Sequence, residues 1–457
     1  MLKTKWIASS AAAAGLLAAA MLLHAAPIKA QNAATAEQQD RFREMEEFLA
    51  VYQRIKSRYV DKVDDKKLME GAIQGMLSSL DPHSAFLDKS DFENLNTQIE
   101  GEYGGLGLSV TIEQGAVKVI APTADTPADK AGIKPGDYIT HLDDKLIVGG
   151  TLDEAVEAMR GMPGTSIKLR IVRLGREEPF DLKITRAIID LKPVKWKALG
   201  DIGLITITGF SQDTGKDVAE AVRGVEKSLG KKALGYIVDL RSNPGGLLDE
   251  AVAVSDVFLE SGEIVSERGR GKGDVQRWFA EREFAGDVTK GAPVIVLVDA
   301  GSASASEIVA GALQDHHRAI VMGEQSFGKG SVQTVLPLSR DTGLRLTIAR
   351  YHLPSGRSVQ EGGIKPDIQV PQLSDPDYAK RIALRETDLR RHLVNELAAT
   401  DKELEEDVTK DPRFTKTADE LKAEGIEDFQ LHYAMETLRR LGKNTQRLAK
   451  KDANPGS

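Results

Sequence analysis

"PVIVLVDAGSASASEIVAGALQDHHRAIVMGEQSFGKGSVQ", residues 293 to 333, decides the architecture. Two near-continuous apolar runs, Val294 to Val298 and Ala319 to Met322, flank a stretch that carries Ile308, Val309, Ala312 and Leu313 on one helical face. Runs of that kind read as strands buried on both faces of a sheet, so the unit is strand, helix, strand. Working outward, "IGLITIT" (202–208), "LGYIVDL" (234–240) and "LRLTIARY" (344–351) have the same character, with helical segments such as "GKDVAEAVRGVEKSL" (215–229) between them. Residues 189–375 therefore read as an α/β layered core with these runs as its central strands.

The flanks differ from that core. Residues 101–188 alternate like short strands in "VKVIAP", "SIKLRIVR" and "FDLKITR", joined by glycines, with one helix-like insert, "TLDEAVEAMRG" (Thr151 to Gly161). This is a small β-rich domain. Residues 37–100 are helical: apolar positions recur at Met45, Phe48, Leu49, Tyr52, Ile55 and Tyr59, then at Met69, Ile73, Met76, Leu77 and Leu80, before a turn at "DPHS" (Asp81 to Ser84). Residues 376–457 turn polar, charged and helical. There is no internal repeat.

The first residues read as an address. "MLKTK" is a basic n-region and Trp6 to Leu23 is an unbroken small and apolar run, so residues 1–36 are expected to be a signal peptide, with an uncleaved anchor as the rival. The protein is then exported, to the periplasm. The chain has 457 residues, net charge −8 and no cysteine. That length implies several domains. The acidic balance argues against nucleic acid as a partner, and without cysteine there is no thiol catalysis and no disulfide.

Three serines alternate before the helix: Ser302, Ser304 and Ser306. "SASE" (Ser304 to Glu307) fits a capping box, a bland explanation. A helix N-terminus also stabilises an alkoxide or oxyanion, and local sequence leaves both open. A nucleophilic serine needs a base. The eight histidines are poorly placed: His24 lies in the leader, His83, His141, His352, His392 and His432 are scattered, and His316 and His317 stand at the far end of the helix. Lys329, between two glycines, is the other option. In an extended stretch Lys329, Ser331 and Gln333 would share a face, and Gln333 could hold the amine. To act at neutral pH the amine must fall to roughly 7–8, which burial can supply.

Taken together, "GSASASEIVAGALQD" and "SFGKGSVQT" resemble the C-terminal processing proteases, tail-specific serine peptidases with a Ser–Lys dyad. "GAIQGMLSSLDPHS", "DLRSNPGGLLDEAV" and "YHLPSGRSVQEGGIKPDI" extend the likeness over nearly all of the chain after the leader. The resemblance implies a ClpP/crotonase-like core with an inserted PDZ domain. It selects Ser304 as nucleophile, Lys329 as base and Gln333 as its positioner. It also implies an oxyanion hole from the N–H groups of Gly245, Gly246 and Ala305, and gives Asp315 as an acidic position used in some members. Gly105, Leu106, Gly107 and Leu108 would be the PDZ loop that captures C-terminal carboxylates, and Arg160 an inter-domain contact.

The expected activity is a periplasmic serine endopeptidase that recognises unstructured, apolar C-termini and needs no cofactor. Homo-oligomers through the terminal helices and an adaptor lipoprotein remain open partners. The alternatives are an exported PDZ scaffold or holdase without proteolysis and, less in keeping with export, acyl-CoA chemistry on a crotonase-like core.

Overall fold

The computed structural model describes residues 42–452 except 114, 124, 148, 150, 272, 382, 395–410 and 412. The expected leader lies outside the described residues. Two units are distinguished, one up to Ile73 and one from Gln74 onward. In the first, a helix over residues 42–58 exposes Phe42, Met45, Phe48 and Leu49 along one flank. Among the described residues no helix is long and apolar enough to cross a membrane.

The second unit is built on a six-stranded sheet. Its order is Val194–Leu199, Ile202–Ile207, Gly235–Asp239, Val294–Val298, Ala319–Gly323 and Ile368–Gln369. The first pair is antiparallel and every later pair is parallel. Because side chains alternate along a strand, each strand feeds two cores. Ile205, Ile207, Tyr236, Val238, Val294, Val296 and Val298 pack with the helices Thr214–Leu229, Leu248–Asp256 and Ala305–Asp315. Leu204, Ile237, Ile295, Leu297 and Met322 face Ala434 and Leu438 of the helix Phe429–Asp452. The C-terminal region is thus not a separate appendage: its long helix closes one face of the core. Among the described residues, that part of it preceding residue 395 holds only short 3₁₀ turns, Tyr378–Lys380 and Glu386–Asp388.

One expectation fails at "LRLTIARY". It lies in the strand Gly343–His352, which belongs to a second, antiparallel sheet with Ala85–Leu87, Glu263–Gly269, Val275–Phe279 and Ser331–Pro337. Most of its length is only half-buried, because this sheet covers the core on one side alone. The apolar count of the run was misleading; the interleaved Arg345, Thr347 and Arg350 were the better guide.

Residues 106–185 form the β-rich domain around its own core of Leu106, Val117, Ile139, Leu169, Ile171 and Ile184. Five antiparallel strands run in the order Leu108–Glu113, Ala116–Pro122, Tyr138–Leu142, Ser166–Val172 and Phe180–Thr185, and a short sixth, Lys145–Leu146, pairs with Tyr138–Leu142. The helix Leu152–Met159 starts at Thr151, which closes a full capping box with Glu154. Glu102–Gly105 pairs with Ala187–Asp190, so the two connections to the core leave side by side.

Candidate active site

The three serines have separate fates. Ser302 Oγ donates to the Leu240 carbonyl at 2.8 Å and Ser306 Oγ to the Asn243 carbonyl at 2.9 Å, and both residues are fully buried. These two hydroxyls fasten the turn to the strand-end loop beside it. Ser304 stands at the start of the helix with φ +56° and ψ −113°, a conformation that L-residues avoid. Such strain persists only where the surroundings impose it, and it clusters at reactive positions. Its hydroxyl faces the buried phenol of Tyr351. Burial, with Glu267 adding to it, holds that phenol well above its ordinary pKa against the opposing Ser304 hydrogen bond, so Tyr351 stays protonated.

Glu307 ties serine and lysine together. Its carboxylate is fully buried and accepts from Ser304 N–H at 2.8 Å, Lys329 N–H at 3.0 Å, Gly328 N–H at 2.7 Å and Ser326 Oγ at 2.5 Å. The Ser304 and Lys329 nitrogens bond to the same oxygen, Oε2, so the two backbones meet at one atom. Burial pushes the Glu307 carboxyl up to about 7 although four donors pull it down. The Lys329 amine makes no hydrogen bond or ion pair among the described residues. Burial, then the Arg345 charge, lowers its pKa, while Glu386, Glu307 and Asp81 pull the other way. An amine without a partner in such surroundings is held toward its neutral form.

Gln333 does not hold it. The pairing register shifts at this point because the partner strand carries an extra residue, Ile348, so Ser331 and Gln333 do share a face. The Gln333 amide instead donates to Ser331 Oγ at 2.9 Å and Thr347 Oγ1 at 3.3 Å. Thr347 in turn donates to Asp81 of the "DPHS" turn at 3.2 Å.

The expected oxyanion donors also need revision. Gly245 N–H is already committed to Asn243 Oδ1 at 2.9 Å. Its contribution is the absence of a side chain: a Cβ there would stand 2.9 Å from Ser304 Cβ and 3.0 Å from Ala305 N, at φ +101°. Gly246 N–H and Ala305 N–H have no partner among the described residues and remain as donors. Asp315 sits at the far end of the helix, where it accepts Ser355 N–H at 3.0 Å and pairs with Arg357, a structural role.

In the β-rich domain a cleft of about 230 Å³ is lined by Tyr103, Gly105, Leu106, Gly107, Leu108 and Met159, among others. It lies between the Leu108–Glu113 strand and the Leu152–Met159 helix. Gly107 has φ +77°, and a Cβ there would meet Thr126 at 2.4 Å. Leu106 is almost fully buried, so its side chain belongs more to the domain core than to the cleft mouth. Arg160, at the cleft edge, lies 5.0 Å from the Tyr103 ring and bonds Asn94 of the preceding helix, Lys89–Glu100. The contact it makes is thus with the connecting helix and not with the six-stranded core.

Family models match three stretches: peptidase family S41 over residues 201–370, a PDZ domain over 118–173, and the N-terminal domain of the activating protease CtpB over 10–91. Over 382 residues the chain is 47% identical to a carboxy-terminal-processing protease of Bartonella bacilliformis, covering 83% of this chain and 86% of that one. The chain belongs to peptidase family S41. The S41 peptidase is also 39% identical to the carboxy-terminal processing protease CtpA of Bacillus subtilis, over 72% of this chain and 69% of that one. Among solved structures, a photosystem II D1 C-terminal processing protease is 26% identical, with TM-score 0.43, covering 76% of this chain and 98% of that one. The peptidase is therefore a C-terminal processing serine endopeptidase with a PDZ domain.

Sequence reasoning missed Tyr351 and Asn243 and saw in Glu307 only a cap. Tyr351 carried no signal, being one apolar-run residue among many. Asn243 did carry one: an Asn before Pro-Gly-Gly is well suited to fold back on the following backbone N–H.

Proposed function

We propose that the S41 peptidase cleaves unstructured proteins after its PDZ cleft has captured their apolar C-termini, using Ser304 as nucleophile and Lys329 as base. The supporting observation is the shared Glu307 oxygen, which fastens the strained serine and the buried, unpaired lysine to one atom. Ser304 Oγ attacks the scissile carbonyl carbon while neutral Lys329 takes its proton. The resulting oxyanion accepts from Gly246 and Ala305 N–H. Collapse breaks the C–N bond, and the leaving amine takes the proton from the Lys329 ammonium. Water then attacks the acyl-serine ester, with Lys329 again accepting and returning a proton, and Ser304 is regenerated. The protonated Tyr351 phenol faces the Ser304 hydroxyl. Gln333 steadies the strand that follows Lys329 through Ser331 and Thr347.

The reading includes export to the periplasm by the apolar N-terminal run. It also includes self-association through the exposed flank of the 42–58 helix and leaves room for an adaptor lipoprotein. The deciding experiment incubates an unfolded protein with an apolar tail with the wild type, Ser304→Ala and Lys329→Ala. Loss of about 10⁴-fold or more in kcat in both variants is expected, in line with removal of a nucleophile or its base. Equal turnover by all three would refute the dyad. Fractionation of cells expressing the full chain tests export.

A further inference from the structure

We propose that Glu386 and His83, drawn from opposite ends of the catalytic unit, are positioning residues that lock the loop carrying Lys329. The proposal rests on Lys329 being the base. The three residues Gly328, Lys329 and Gly330 are fastened through all of their backbone N–H groups. The first two reach Glu307, as described, and Gly330 N–H donates to Gln360 Oε1 at 3.0 Å. Gln360 is itself fully buried, and its amide nitrogen donates to Glu386 Oε1 at 3.0 Å. Glu386 is also fully buried, and its N–H donates to the Phe327 carbonyl at 3.1 Å, just ahead of the same loop. The loop is thus gripped from one side by Glu307 and from the other by Glu386.

His83 completes the second grip. Its Nε2 lies 2.9 Å from both Glu386 oxygens, across 303 positions of sequence. The imidazole is held in turn: its residue's N–H donates to Asp81 Oδ1 at 2.8 Å and its carbonyl accepts from Arg345 Nε at 3.0 Å. Glu386 lies beyond residue 370, where the S41 match ends, and His83 lies before residue 201, where it begins, in the stretch matched by the CtpB N-terminal domain. A fully buried carboxylate is costly unless it is paired and hydrogen-bonded, as this one is by Gln360 and His83. Beside the lysine loop it has a use: it fixes the loop and adds a negative charge to the set facing the amine. That set comprises Arg345, Glu386, Glu307 and Asp81.

The signs follow. Glu386 favours the ammonium and the reaction needs the amine, so removing its charge lowers the Lys329 pKa. Glu386→Gln, measured on the full chain with a peptide substrate, is expected to lower kcat about tenfold or more, since small misplacements of a catalytic group are costly. KM should stay within about twofold, and the acid limb of the kcat–pH profile should move to lower pH. His83→Ala should lower kcat with KM unchanged. Thermal unfolding of each variant shows that it is folded at the assay temperature, and His83→Ala alone decides the matter if Glu386→Gln does not fold. Wild-type kcat in the folded variants, or loss confined to KM, overturns the proposal, as does a kcat loss in Glu386→Gln with an unmoved acid limb. Lys329→Ala is the control: if it remains active the dyad reading fails, whereas an inactive Lys329→Ala beside a fully active Glu386→Gln fails this inference only.

Discussion

Replacing Gly245 by alanine separates two roles that look alike in sequence. Alanine keeps the N–H, so if Gly245 served only as a donor the change would be nearly silent. The structure predicts otherwise. A Cβ at Gly245 would lie 2.8 Å from the Ala303 carbonyl oxygen, 2.9 Å from Ser304 Cβ and 3.0 Å from Ala305 N, all of them atoms of the reactive turn. The φ of +101° adds strain of about 1–3 kcal/mol for a residue with a side chain, and overpacking adds about 1–3 kcal/mol more. Relief is available by moving the Ser304 turn outward by a few tenths of an ångström or more. That shift withdraws Ala305 N–H from the oxyanion position and turns Ser304 from its attack geometry. Loss of one such donor costs about 10²–10³ in rate. We therefore expect Gly245→Ala to lower kcat about 10²-fold or more with little change in KM. Circular dichroism and thermal unfolding should show a folded protein, since the strain is local. A kcat within about twofold of wild type would refute both the close-approach role and the placement of the oxyanion hole against Ala305.

Other expectations concern the lysine, the cleft and the core. The lowered Lys329 pKa means that the neutral, competent amine persists below the pH at which a free lysine would be protonated. The acid limb of kcat should accordingly fall below about 10.4, and a limb at the free-lysine value would contradict burial as the activating cause. Gly107→Ala, which drives a Cβ into Thr126 at 2.4 Å, should weaken binding of an apolar C-terminal peptide in fluorescence anisotropy while sparing cleavage of a short substrate. Ser302→Ala should cost about 1–2 kcal/mol by chemical denaturation, because it leaves a buried carbonyl short of a donor. Asp428→Asn should loosen the C-terminal helix by breaking the bidentate pair with Arg241, at about 2–3 kcal/mol. Burial raises the Asp428 pKa, but the Arg241 bonds outweigh it and the net shift is downward. This stability is thus present above the ordinary carboxylate value of about 3.9 and is lost as pH falls through the lowered one.

Periodicity alone determined a good deal. The strands beginning at Ile202, Gly235, Val294 and Ala319, the helices between them and the small β-rich domain were all legible, because buried strands and amphipathic helices carry their partners' geometry in their own spacing. The turn before Ala305 was legible as a reactive candidate through its alternating serines. Which hydroxyl is free came from the family resemblance and not from local sequence, because the physical answer lies in two carbonyls, of Leu240 and Asn243, that local sequence places nowhere near it. The commitment of the Gln333 amide to Ser331 and Thr347, the committed N–H of Gly245 and the membership of Gly343–His352 in a second sheet were likewise decided only on folding. So was the meeting of His83 with Glu386. Each depends on which segments compete for the same donor or the same face, and that competition exists only when distant parts of the chain are packed together.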